Sequence, residues 1–90
     1  MKRVVINVSG KVQGVFFRAS TKEKADELHI RGTVRNNADG SVTVDAEGDE
    51  ASIEQFVEWC KQGPPRARVD HFEIRELDLS GGFDGFAIVT

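Results

Sequence analysis

The chain has 90 residues, a single cysteine and a formal net charge of −3, with 12 Lys and Arg against 15 Asp and Glu. That length supports one hydrophobic core, so residues 1–90 are expected to form one domain. The acidic balance argues against nonspecific nucleic-acid binding, Cys60 alone excludes an intramolecular disulfide, and no apolar run is long enough to span a membrane.

From residue 3 to residue 9, Val4, Ile6 and Val8 alternate with Val5, Asn7 and Ser9, the period of a half-buried strand. A glycine-bearing stretch follows. Beyond it Phe17, Thr21, Ala25 and Leu28 recur at helical spacing, with Lys22, Glu23, Lys24 and Asp26 turned outward. Arg31–Asn37 and Ser41–Gly48 flank the turn signal Ala38-Asp39-Gly40 and are predicted to pair as a hairpin. In its second arm Val42, Val44 and Ala46 are expected to face the core while Thr43, Asp45 and Glu47 face water.

Asp49 is placed to cap a second helix, whose buried stripe is Ile53, Phe56, Val57 and Cys60, and Gly63-Pro64-Pro65 ends it. Ala67–Leu77 reads as a strand with Phe72 and Ile74 inward and a slip of register around Val69. Ser80-Gly81-Gly82 is a loop, and Phe86–Val89 is a short last strand whose pairing partner stays open. The order predicts an α+β fold: a ferredoxin-like split βαβ sandwich, with an antiparallel sheet, two helices on one face and a short extra C-terminal strand.

Gly10-Lys11-Val12-Gln13-Gly14-Val15-Phe16-Phe17-Arg18 joins the first strand to the first helix. Two glycines four apart, with no acidic residue among the nine, allow successive amide N–H groups to converge. Such a concavity at a helix N-terminus binds anions, and the guanidinium of Arg18 matches two oxygens of a phosphate or carboxylate. Local physics leaves a second reading open, in which the glycines mark a turn and Arg18 is a solvated surface charge.

This stretch resembles the first signature of the acylphosphatase family, and Gly32-Thr33-Val34-Arg35-Asn36-Asn37-Ala38-Asp39-Gly40-Ser41-Val42 resembles its second. The two cover about a fifth of the chain. Thr33 departs from the pattern, which commonly has an aromatic there. The resemblance implies that the first helix already includes Phe17 and Arg18, rather than starting at a Ser20–Glu23 capping box. It also implies that backbone N–H groups from Gln13, Gly14, Val15, Phe16 and Phe17, with Arg18, bind the phosphate of an acyl phosphate. Arg18 and Asn36 would be the catalytic residues, Asn36 orienting the attacking water; Asn37 reads as a hairpin asparagine.

Those roles suit one class of substrate. Asn36 has no basic form at neutral pH, so the reaction must proceed without a strong general base. An acyl phosphate releases a carboxylate whose conjugate acid has a pKa of roughly 4, and its departure needs little protonation. The implied activity is hydrolysis of a small acyl phosphate to a carboxylate and inorganic phosphate, by a cytoplasmic monomer with no metal or other cofactor and no nucleic-acid or membrane partner. Two other readings compete: a module that binds the anion without turnover, and an RRM-type RNA-binding domain with exposed aromatics on its central strands.

Overall fold

The computed structural model describes residues 1–89. Alternating branched residues and two apolar helical stripes produce β1 (Lys2–Lys11), α1 (Phe17–Glu27), β2 (Arg31–Asn36), β3 (Val42–Gly48), α2 (Glu50–Gln62), β4 (Arg68–Leu77) and β5 (Phe86–Ile88). The sheet order is β4-β1-β3-β2-β5. β1 and β2 both run antiparallel to β3, so each βαβ half returns to the same sheet and both helices lie on one face.

Register puts the alternating residues where the sequence pattern requires. Val4 pairs with Ala46, Ile6 with Val44 and Val8 with Val42, and all six are at most 1% exposed. Against them pack Phe17 and Ala25 of α1 and Ile53, Phe56 and Cys60 of α2. Burial pushes the Cys60 thiol pKa far upward, as befits a core residue rather than a nucleophile. The expected slip near Val69 is a bulge: Ser9 pairs with His71 and Gly10 with Val69, so Asp70 is left over.

The structure adds three points to the expected fold. First, β5, whose partner the sequence left open, pairs with β2 in parallel beside the antiparallel sheet of the other four strands. β4 ends beside the start of β1, on the side where β2 also begins, and a strand entered from that end must run with β2. Second, Glu47 does not face water; it is 2% exposed. Residues 78–85 cross the helix-free face between the two sheet edges, and there Glu47 Oε1 accepts the Ser80 N–H at 2.6 Å. Beneath the same segment Arg3 donates to both Asp45 oxygens at 3.0 and 2.8 Å, and its guanidinium lies 5.8 Å from the Phe83 ring. Third, Ile74 pairs with Ile6 on the helix side yet stays 43% exposed, because β4 is an edge strand that α2 covers incompletely.

The helix-free face of the central strands carries Val5, Asn7, Ser9, Thr43, Asp45 and Glu47 and no aromatic residue. The stacking surface of an RRM is therefore missing from these two strands. Among the described residues no helix is long and apolar enough to cross a membrane.

Candidate active site

The loop between β1 and α1 is shaped by alternating backbone handedness. Gly14 has φ 74° and Phe16 φ 65°, while Val15 between them does not have positive φ. Alternation of this kind turns successive N–H groups toward one side. A side chain on Gly14 would meet nothing within 4 Å, so glycine is required there by backbone conformation and not by space. Phe16 is the N-cap of α1, without a side-chain capping bond, and the first turn contains no acidic residue. The Ser20 N–H reaches the Phe16 carbonyl at 2.9 Å. The amides of Phe17, Arg18 and Ala19 find no backbone acceptor among the described residues, leaving the positive end of the helix undischarged.

Core packing fixes where that helix starts. Phe17 is 1% exposed, with its ring 5.9 Å from that of Trp59. Gly63, at the end of α2, lies so close that a β-carbon there would sit 2.5 Å from Phe17 Cε2. With Phe17 locked inward, helical geometry directs Phe16 and Arg18 elsewhere: Phe16 is exposed, and Arg18 is half-buried and lines a cleft. Arg18 has no ion-pair partner among the described residues.

The second contributor arrives from β2. Gly32 and Val34 point to the helix side, so Asn36 at the end of the strand does too, whereas Arg35 points to the opposite face. The outcome is an open cleft of about 300 Å³ lined by Arg18 and Asn36, together with Val12, Gly14, Phe16, Phe17, Ala19 and Ile88. The carboxamide oxygen of Asn36 is buried and has no hydrogen-bond partner among the described residues. A buried acceptor that no protein donor reaches is left for water or a ligand in the cleft to satisfy. Thr33 stands on the face away from the cleft, so its departure from the aromatic pattern leaves the lining untouched.

Gln13 and Val15 stand apart from the cleft lining. Val15 is 4% exposed in the core, and the Gln13 amide donates to the carbonyls of Asn37 and Ser41 at 2.9 and 3.0 Å. Gln13 thereby ties the loop to the hairpin turn next to Asn36. That turn is internally bonded: Asn37 Nδ2 donates to Ser41 Oγ at 2.9 Å and Thr43 Oγ1 at 2.7 Å, and Asp39 Oδ1 accepts from the Ser41 hydroxyl at 2.6 Å. The Ser41 hydroxyl and amide hold the Asp39 carboxyl below its ordinary range. Asn37 is occupied in the turn, as expected from its sequence position.

Comparison with known proteins gives the family. The acylphosphatase family model matches residues 4–88. The crystal structure of acylphosphatase from Bacillus subtilis superimposes with a TM-score of 0.95 at 38% identity, covering 100% of both chains. The chain belongs to the acylphosphatase family. Relatives named acylphosphatase include one from Rubrobacter xylanophilus, 49% identical over 97% of this chain and 79% of its own. Another, from Methylococcus capsulatus, is 48% identical over 99% and 97%.

Within this acylphosphatase the sequence pattern pointed to Arg18 and Asn36, but it missed Val12, Ala19 and Ile88 as lining residues and the tethering role of Gln13. Ile88 enters the cleft only because β5 pairs with β2, bringing it opposite Val34. No local signal announces that pairing. No group of three His, Cys, Asp or Glu side chains placed to hold a metal ion occurs among the described residues.

Proposed function

We propose that this chain hydrolyses the carboxyl–phosphate bond of small acyl phosphates, with Arg18 and the loop amides holding the phosphoryl group and Asn36 aiming the water. The observation that carries this reading is the single cleft shared by Arg18 and the unpartnered carboxamide oxygen of Asn36. A loose phosphoryl-transfer transition state spreads charge over the non-bridging oxygens. The Arg18 fork and the N–H groups from Gln13 to Phe17 supply fixed positive potential for those oxygens. The Asn36 carbonyl accepts one O–H of the water and orients its lone pair toward phosphorus.

In the reaction the water oxygen forms a bond to phosphorus as the bond from phosphorus to the acyl oxygen breaks. The electron pair leaves with the carboxylate, and the proton lost by the water passes to the phosphate product or to solvent. No side chain with a neutral-range pKa is needed, because the leaving carboxylate is a weak base.

Purified protein incubated with acetyl phosphate, benzoyl phosphate and a simple alkyl phosphate ester tests the reading by phosphate release, with and without chelator. Rapid turnover of the two anhydrides, indifferent to chelator, and little of the ester is expected. Equal rates on anhydride and ester, or binding of phosphate with no turnover of any substrate, would contradict it.

A further inference from the structure

The cleft offers more apolar surface than a phosphoryl group can use. Phe16 is 70% exposed and Ile88 41%, and both line the same cleft as Arg18 and Asn36. Phe16 sits in left-handed backbone, φ 65° and ψ 22°, a conformation that penalises any β-carbon and favours Gly or Asn. Its ring takes no part in the core, in contrast to Phe17 beside it. Neither packing nor backbone preference accounts for phenylalanine at position 16, and a strained, exposed aromatic at a cleft is a functional signal. Ile88 follows the inward parity of Phe86, which is 6% exposed and packs 6.0 Å from Phe56, but Ile88 is not covered in the same way.

We propose that Phe16 and Ile88 form the acyl-binding side of the site and favour acyl phosphates with an aromatic or branched apolar acyl group. This rests on the hydrolytic reading above. In-line displacement puts the leaving group opposite the attacking water and out of the plane of the three oxygens that the amides and guanidinium hold, so the acyl group needs contacts of its own. Apart from Arg18, no charged side chain among the described residues lines the cleft, so a second anionic group on the acyl portion has no dedicated partner among them. A flat apolar group instead stacks on the Phe16 ring and contacts Ile88, excluding water from both.

The test compares kcat/KM for benzoyl and acetyl phosphate in the unmodified protein, Phe16→Asn, Ile88→Ser and Leu79→Ala. Asparagine tolerates the left-handed backbone, Ile88 lies outside the loop, and Leu79 is an exposed control away from the cleft. The benzoyl-to-acetyl ratio is expected to fall about tenfold in Phe16→Asn and in Ile88→Ser, the scale of a lost apolar pocket contact, and to stay constant in Leu79→Ala. Taking each variant against the unmodified protein cancels the intrinsic reactivity of the two anhydrides. An unchanged ratio in both variants overturns the subsite while hydrolysis stands. An equal loss on both substrates with weaker inhibition by inorganic phosphate also overturns it, reducing Phe16 to loop geometry. Failure of the folded, unmodified protein to turn over either anhydride removes the hydrolytic reading itself.

Discussion

Replacing Asn36 by alanine should separate stability from turnover. The Asn36 carboxamide oxygen is buried without a protein partner among the described residues; such an acceptor costs up to about 1–3 kcal/mol, and less where water reaches it from an open cleft. Alanine removes that cost and forfeits a half-buried carboxamide's packing, worth about 1 kcal/mol. The net expectation is a variant of equal or greater stability, by about 1 kcal/mol, which for a domain of this size is about 4–8 °C in Tm. Loss of the group that orients water should lower kcat about a hundredfold, equivalent to about 2.7 kcal/mol of transition-state stabilisation. Urea unfolding gives the first quantity and benzoyl phosphate hydrolysis the second. A structural asparagine would behave in the opposite way. Destabilisation beyond about 1 kcal/mol with more than half of kcat retained would refute the reasoning.

Other expected outcomes come from particular contacts. Arg18→Ala should raise KM and weaken competitive inhibition by inorganic phosphate about a hundredfold, while circular dichroism and melting stay unchanged, because Arg18 has no ion-pair partner among the described residues. Gln13→Leu removes both hydrogen bonds from the loop to the hairpin turn; kcat should fall about tenfold as Asn36 and the loop lose their mutual alignment, which steady-state kinetics would show. Glu47→Ala leaves the Ser80 N–H without its acceptor; a loss of about 1–3 kcal/mol in urea and faster proteolysis within residues 78–85 are expected. Ser41 hydrogen bonds depress the Asp39 carboxyl below its ordinary 3.8. Its stabilising contribution is therefore present above that value and lost as pH falls through the lower folded one, so Asp39→Asn should flatten the acid limb of Tm against pH.

Much of the architecture was legible because local period encodes which way a side chain faces. Val4, Ile6 and Val8, then Val42, Val44 and Ala46, declared the buried face of the central strands, and the Phe17–Thr21–Ala25 stripe declared the first helix. The roles proposed for the glycine loop with Arg18, and for Asn36 rather than Asn37, came from family-like signatures. The structure adds the reason for that choice. Asn36 shares the parity of buried Val34 and reaches the cleft, while Asn37 is spent in the turn.

Chain order and alternation thus determined the split βαβ sandwich, the position of the loop and the inward residues, since each depends on neighbours within a few positions. Only the tertiary structure decided that β5 runs parallel beside β2, that Glu47 is sealed by Ser80, and that Phe16 and Ile88 meet at one cleft. Those outcomes join residues far apart in the chain, through a sheet edge left free and a segment crossing the uncovered face, and no local periodicity can record them.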